Sequence, residues 1–264
     1  MSKRVSLQTL VLTLASALAS FSAYSMDTSE MVSVPGGYFH MGCNKSVDPD
    51  CFESEMPLRR VWIKGFKIDK YEVTFGRYQK CIDDGYCEDL GIGGSCNYFW
   101  PGVENKPVNC VTWYKAKNFC EYEGKRLPTE AEWEKAARAN TVSLYPWGNK
   151  KPSCDLAAMD GPNGGNLACG EGTAPEVGSK PNGASPYGAM DMAGSMWEWV
   201  SDWYGHYYYY SASNNNPKGP RQGAYKVARG GDIYARKPEE LRTVTRFFYA
   251  PENFSPAVGF RCAQ

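Results

Sequence analysis

The sequence has few histidines and no excess of charge of either sign. His40 and His206 are its two histidines, and no Cys-x-x-Cys pair occurs, so the ligand combinations of common zinc sites are missing. Lysine and arginine together number 29, as do aspartate and glutamate, and the formal net charge is zero. Because there is no large basic patch, we expect no nucleic-acid partner.

Long apolar runs are absent after residue 25, so we expect no membrane span once the N-terminal segment is removed. In that segment, two basic residues precede the apolar stretch Val5–Phe21, and the small-x-small sequence Ala23-Tyr24-Ser25 follows. This pattern predicts a cleaved signal peptide over residues 1–25, and a retained membrane anchor is the alternative. The mature domain is then residues 26–264, located in the periplasm or secreted.

Ten cysteines, all after residue 25, predict a disulfide-bonded protein from an oxidising compartment. The sequence alone leaves their connectivity open. Proximity along the chain favours four local bridges, which are Cys43–Cys51, Cys81–Cys87, Cys96–Cys110 and Cys154–Cys169. The remaining cysteines, Cys120 and Cys262, would close a long loop, which stabilises by about 4 to 5 kcal/mol in the chain-entropy model.

The clearest helical signals lie between residues 107 and 138. Thr112 is a candidate N-cap for a first helix, and Gly124 suits its C-terminal end because glycine adopts positive φ easily. Thr129 and Glu132 have the spacing of a capping box for a second helix. The link between these helices is short, so we expect the helices to lie near one another.

Alternation of apolar with polar or small residues predicts strands elsewhere. Met31–Met41 surrounds a Pro-Gly-Gly turn and predicts an opening hairpin, and Arg60–Ile68 predicts a single strand. Thr74 is a candidate N-cap for a further helix. Later strands are predicted at Tyr225–Arg229, Arg242–Phe248 and Ala257–Ala263.

Taken together, these segments resemble the formylglycine-generating enzyme family, also called sulfatase-modifying factors. The matching motifs include Tyr71-Glu72-Val73-Thr74, the run from Gly124 to Glu134, Trp197-Glu198-Trp199, Arg229-Gly230-Gly231 and Gly259-Phe260-Arg261-Cys262. The resemblance implies a single mixed α+β domain with little regular secondary structure, related to the C-type lectin fold. It also implies a structural disulfide matching Cys120–Cys262.

The sequence departs from the family at its catalytic site. In family oxidases a cysteine lies four residues after Arg-Gly-Gly and a second lies five residues later, and the two thiolates hold copper. The corresponding residues here are Ala235 and Glu240. Because copper(I) requires soft thiolate ligands, we expect neither copper binding nor formylglycine generation. Candidate groups around the vacated site are Asp232, Tyr234, Arg236 and Arg246.

A calcium site of the family has a counterpart between Asp191 and Glu198. Their carboxylates, with the carbonyls of Gly194 and Met196, would supply the oxygen ligands that calcium takes. The family usually has asparagine at the position of Asp191, so this chain adds a charge. In the alternative interpretation, Glu198 caps a turn and the tryptophans beside it fill the core. A second family calcium site is not expected, because Ala168 stands near its later carboxylate position.

Three functions follow from these features. We expect a non-catalytic exported domain that binds a peptide or protein or acts as a structural module, since loops on a disulfide-bonded frame commonly form recognition sites. An enzyme of altered oxidative chemistry, acting on a periplasmic or extracellular substrate, is the alternative. A copper-dependent cysteine oxidase that makes formylglycine on sulfatases is the least favoured of the three.

Overall fold

The computed structural model describes residues 27–90, 96, 102–161 and 164–264. The predicted signal peptide, residues 1–25, lies outside the described residues. Strands and helices alternate irregularly along the chain. The strands are β1 (Met31–Val34), β2 (Gly37–Met41), β3 (Arg59–Ile63), β4 (Phe66–Asp69), β5 (Trp197–Trp203), β6 (Lys226–Arg229), β7 (Arg246–Tyr249) and β8 (Val258–Phe260). The helices are α1 (Phe75–Asp83), α2 (Trp113–Tyr122), α3 (Glu130–Arg138) and the short α4 (Tyr208–Ser211).

The N-terminal strands pair across two turns and do not form the predicted opening hairpin. β1 pairs with β4, and β2 pairs with β3, both antiparallel. The predicted single strand Arg60–Ile68 is accordingly divided into β3 and β4. Two glycines allow this arrangement, because a Cβ added to Gly36 would lie 2.9 Å from the amide nitrogen of Gly65. The hairpin prediction was therefore wrong in its pairing, although β1 and β2 are strands.

The predicted helix N-caps are confirmed. The side-chain oxygens of Thr74, Thr112 and Thr129 accept hydrogen bonds from backbone amides in the first turns of α1, α2 and α3. The Glu132 carboxylate also accepts from the Thr129 amide at 2.8 Å, which completes the capping box. Gly124 has φ of +70° just after α2. These caps set where each helix begins and therefore which face it buries.

Strand β5 lies at the centre of the molecule, in a sheet of order β7-β6-β5-β8. Successive side chains of a strand point to opposite faces. Trp199 accordingly packs in the core cluster that contains Phe119 of α2, whereas Val200 packs in the cluster that contains Trp133 of α3. Helices α2 and α3 both contact β5, which agrees with the expectation that they lie near one another. The fold is the predicted α+β domain.

All ten cysteines form disulfide bonds in the structure. The four local bridges are those that proximity favoured. The fifth, Cys120–Cys262, spans 142 residues and joins α2 to the segment after β8. Disulfides on this scale are typical of proteins outside the cytosol. Among the described helices, none has the length and apolar character needed to cross a bilayer.

Candidate functional site

The loop that follows β6 brings Ala235 and Glu240, the predicted counterparts of the family's cysteines, into one groove. Ala235 and Glu240 both line this groove, whose volume is about 420 Å³. Gly231 has φ of +78°, and a Cβ there would lie 2.7 Å from the Glu240 carbonyl oxygen, so glycine is needed for the loop to fold back. The Glu240 carboxylate accepts hydrogen bonds from the amides of Arg236 and Lys237 at 2.7 and 3.1 Å. These bonds hold the loop closed.

Aromatic rings form one wall of this groove. Trp197 of β5 and Phe247 of β7 are stacked with ring centroids 5.2 Å apart, and both line the groove. Phe247 is 42% exposed and Tyr234 is 43% exposed, so both rings present apolar surface to solvent. The aromatic surface continues from Phe247 to Phe248, which stacks on Tyr204 at 4.3 Å.

The groove is acidic. Asp232, Glu239 and Glu240 line it together with Lys237. Arg246 also lines it, but its guanidinium donates two hydrogen bonds to the Glu130 carboxylate, at 2.7 and 3.0 Å, and so is neutralised. Burial raises the pKa of the Asp232 carboxyl to about 6, and the Glu240 carboxylate adds to the shift. At neutral pH the carboxylates of Asp232, Glu239 and Glu240 therefore outnumber the one unpaired ammonium group among the described groove residues, that of Lys237.

The structure brings three of the four candidate groove residues together in this groove, and the fourth lies outside it. Asp232, Tyr234 and Arg246 line the groove, whereas Arg236 does not. The Arg236 guanidinium instead donates to the Asp160 carboxylate at 2.8 Å. Its backbone amide is held by Glu240, so the side chain leaves the loop on the other side. We therefore correct the sequence interpretation for Arg236.

Some groove residues were missed by the sequence analysis. Trp197 belongs to a family motif and was given a place in the core only under the alternative interpretation, and Phe247 was placed in a closing strand without a role. The signal that was available is the run Arg246-Phe247-Phe248-Tyr249, in which two adjacent aromatics cannot both point into a core from one strand.

The proposed calcium segment lies deep in the core. The Glu198 carboxylate accepts from Arg261 Nη2 and Nε at 2.6 and 2.7 Å and from the Trp133 indole nitrogen at 2.8 Å. Asp191 Oδ2 accepts from the Gly178 amide at 2.6 Å. A third carboxylate, Glu72, accepts from the Met196 amide at 3.1 Å, and the sequence analysis assigned it no role.

Glu72 and Glu198 are buried and Asp191 is partly buried. These three carboxylates are opposed by the guanidinium of Arg261 and, at Asp191, also by the Lys180 ammonium. Burial, reinforced by repulsion from Asp191 and Glu198, raises the pKa of Glu72 well above its usual range. Burial also raises the pKa of Asp191 to about 6. Excess negative charge on oxygen donors is the chemistry that a hard divalent cation neutralises. The residues therefore fit calcium by charge and by the type of donor atom. The Glu198 carboxylate also accepts hydrogen bonds from Arg261 and Trp133, which a bound calcium ion would share.

Comparison with known proteins identifies the family. The sulfatase-modifying factor enzyme 1-like domain profile matches residues 17–264. The chain belongs to this family. Its sequence is 31% identical over 291 residues to the formylglycine-generating enzyme of Mus musculus, covering 89% of this chain and 75% of that protein. This confirms the family resemblance inferred from the motifs.

The chain is also similar to proteins that carry other names. The chain is 35% identical over 255 residues to the serine/threonine-protein kinase pkn1 of Chlamydia pneumoniae, but it spans only 38% of that protein's length. It is 33% identical over 248 residues to hercynine oxygenase of Mycolicibacterium smegmatis, covering 80% of this chain and 55% of that protein. The structure of PvdO from Pseudomonas aeruginosa superposes with a TM-score of 0.74 at 26% identity, covering 88% of this chain and 93% of that one.

Two other clusters of potential metal ligands within the described residues have structural roles. Cys43, Asp48 and Cys51 lie together, as do Asp69, Glu123 and Cys262. All three cysteines are in disulfides, so they offer no thiolate. The carboxylates are paired with cations: Asp48 with Arg242, and Asp69 and Glu123 with Arg77 and Lys125. These clusters hold loops together in this member of the family.

Proposed function

We propose that this chain is an exported, non-catalytic member of the sulfatase-modifying factor family that binds an extended peptide segment in its groove. The observation that carries the proposal is the pair Ala235 and Glu240, which line the groove where family oxidases have copper-binding cysteines. Every cysteine of the chain is committed to a disulfide bond, which leaves no thiolate for copper. The disulfides and the predicted signal peptide support export.

The surroundings of the groove favour an extended ligand with basic side chains. Its carboxylates would attract lysine or arginine side chains, and the stacked rings of Trp197 and Phe247 offer a flat apolar surface. Strand β7 is the outer strand of its sheet, and an outer strand offers backbone groups to an added strand. A peptide paired with β7 would place alternate side chains over the acidic groove.

Binding to an array of fluorescent decapeptides of varied charge tests the proposal. We expect the wild-type protein to prefer basic peptides. The Asp232→Asn/Glu239→Gln variant should bind the best basic peptide at least tenfold more weakly, since both changes remove charge and keep shape. The matched control is Lys218→Glu, which changes the charge of a side chain that does not line the groove. Preference for acidic peptides, or equal binding by the Asp232→Asn/Glu239→Gln variant, would contradict the proposal.

The non-catalytic part of the proposal has its own test. Wild-type protein is incubated with a Cys-x-Pro-x-Arg peptide, copper and oxygen, and the mass of the peptide is then measured by mass spectrometry. We expect the peptide cysteine to remain unchanged apart from disulfide formation. Appearance of the aldehyde would show that the family chemistry survives without the cysteine pair, and the non-catalytic assignment would be abandoned.

An enzyme of altered oxidative chemistry is the second candidate. The similarity to a protein named hercynine oxygenase supports it, because a relative of this chain then carries the name of an oxygenase. Asp232 would be the candidate proton acceptor, since a carboxyl with pKa of about 6 is available as a base near neutral pH. A bound ligand recovered with a changed mass after incubation with oxygen would favour this candidate over simple binding.

We also propose a calcium ion at the buried segment from Asp191 to Glu198. The excess of buried carboxylate over guanidinium charge supports it, because a divalent cation would remove the repulsion that raises the pKa of Glu72. The carbonyls of Gly194 and Met196 would supply the remaining oxygen donors. When bound, calcium would stabilise the turn before β5 and so the floor of the groove at Trp197.

A further inference from the structure

A second cavity of about 540 Å³ lies away from the acidic groove. Its walls come from the turn between β3 and β4, from α2, from the link to α3 and from the segment 216–218. The described residues that line this cavity and those that line the groove have no member in common. Its volume is in the range of small-molecule sites. None of the functions proposed above uses it.

The walls of this second cavity are held in place by hydrogen bonds. Asn216 accepts from the Lys64 amide through its side-chain oxygen at 2.8 Å, and its own amide donates to the Trp62 carbonyl at 2.8 Å. The segment from residue 214 to 216 is thereby fixed beside β3, where Asn215 forms an isolated parallel bridge with Trp62. Leu127 is 3% exposed and provides an immobile apolar surface. Sites built on such fixed elements need little ordering when a ligand binds.

Trp113 supplies an aromatic surface whose orientation is fixed. Its indole nitrogen donates to the Val200 carbonyl oxygen at 2.8 Å. The Lys226 ammonium, which does not line the cavity, lies 3.8 Å from the centre of the Trp113 ring and donates to the Ser201 carbonyl at 2.8 Å. The hydrogen bond at its edge and the cation over one face fix the orientation of this ring on the cavity wall.

The free charges of this second cavity are positive. Two of its cations are neutralised: Lys117 pairs with Glu121 at 2.7 Å, and Arg126 pairs with Glu132 at 2.6 Å. Two others, Lys64 and Lys218, form no ion pair with any acidic residue in the described part of the chain. Lys64 lies on the β3–β4 turn and Lys218 lies on the 216–218 segment. The hydrogen bond from the Lys64 amide to the Asn216 side chain joins these two segments. The cavity thus combines an apolar floor with two unneutralised ammonium groups.

We propose that this cavity binds a small organic anion with a flat apolar body, of the aromatic carboxylate class. The apolar body lies against Trp113 and Leu127, and the carboxylate is drawn to Lys64 and Lys218. A cationic ligand of the same shape is disfavoured because both free charges repel it. This inference is independent of the peptide groove, since the two cavities are lined by different residues.

A pair of ligands with one shape and opposite charge tests this inference. Binding of 4-phenylbutyrate and of 4-phenylbutylamine to the full chain is measured by ligand-observed NMR and by titration calorimetry. We expect the carboxylate to bind at least tenfold more tightly than the amine. Lys64→Glu/Lys218→Glu should weaken phenylbutyrate binding by tenfold or more and remove the preference. Equal binding of the two ligands, or no binding of phenylbutyrate at millimolar concentration, would overturn the inference.

Two controls separate this site from the groove and from unfolding. Lys237→Glu changes the one free ammonium of the peptide groove and should leave phenylbutyrate binding unchanged. Lys64→Gln/Lys218→Gln neutralises the same exposed side chains without adding negative charge, so it keeps the inference testable if charge reversal disturbs folding. Loss of binding with Lys237→Glu, or full retention with Lys64→Gln/Lys218→Gln, would place the ligand elsewhere.

Discussion

Glu198 of β5 and Arg261 after β8 form a two-pronged ion pair, with nitrogen–oxygen distances of 2.6 and 2.7 Å and no exposed side-chain surface. Arg261 also donates to the Met190 carbonyl at 2.8 Å, so one guanidinium joins β5, the turn before it and the last segment of the chain. Both residues belong to the motifs that identified the family. These family motifs therefore include residues that form a buried ion-pair network in the core.

Replacing Arg261 by leucine should destabilise the protein severely. The change leaves the carboxylates of Glu198, Asp191 and Glu72 in the core without their guanidinium, and breaking a buried pair in this way costs about 3 to 5 kcal/mol. The measurement is the free energy of unfolding in urea. Lys117→Ala is the control, because it breaks an exposed pair and should change stability by no more than about 0.5 kcal/mol. A similar loss in both variants would contradict the role given to Arg261.

Calcium should stabilise the wild-type protein and a chelator should destabilise it. A ligand that binds only the folded state adds about 2.7 kcal/mol when its concentration is 100 times the dissociation constant. Asp191→Ala removes a proposed ligand and should abolish the calcium-dependent rise in Tm. Asp232→Asn is the matched control, since it changes another buried carboxyl outside the site and should keep the response. If chelator leaves the wild-type Tm unchanged, the proposed calcium ion is wrong.

Local features of the fold were predictable because they depend on neighbouring residues. The N-cap at Thr129 and its partner Glu132 are three residues apart, so the sequence contains the whole interaction. The disulfides were predictable for a related reason. Pairing the cysteines that are near each other in sequence gives four bridges, and Cys120 and Cys262 remain as the fifth pair. Family resemblance then located Ala235 and Glu240 in a common groove, which spacing alone would not have done.

Features that depend on distant partners were not predictable in this way. The pairing of β1 with β4 was missed because a Pro-Gly-Gly turn predicts a local hairpin equally well. The direction of Arg236 depends on Asp160, which lies 76 residues earlier in the chain. The burial of Glu72 was missed because its neighbours in sequence do not include the Ser195 hydroxyl and Met196 amide that bind it.

The two disulfides that differ most in loop length should contribute differently to stability. Cys120–Cys262 spans 142 residues and Cys81–Cys87 spans 6. In the chain-entropy model their removal costs about 5 and about 2 kcal/mol. The paired alanine variants at each bridge are compared by urea denaturation under identical oxidising conditions. Equal losses would show that the model fails here and that native contacts of each bridge dominate its contribution.

Asp202 should make the stability of the protein fall as pH rises from 4 to 7. Burial, with repulsion from Glu130, raises the pKa of its carboxyl from 3.8 to about 7. Between these values the folded protein retains a proton that the unfolded chain has lost, so the free energy of unfolding falls with rising pH. The fall from this group is at most about 4 kcal/mol, at about 1.4 kcal/mol per pH unit. Below pH 4 both states are protonated and the effect vanishes.

The Asp202→Asn variant tests this pH dependence of stability, because the asparagine side chain cannot titrate and its oxygen still accepts a hydrogen bond from the Glu130 amide. Urea denaturation at several pH values should show the variant gaining stability relative to wild type as pH rises from 4 to 7. Asp232→Asn is the comparison, because its carboxyl has a pKa of about 6 and its relative gain should stop near that pH. Between pH 6 and 7 only the Asp202 variant should still gain. Parallel curves for wild type and Asp202→Asn would mean that solvent or Lys226 compensates the buried charge.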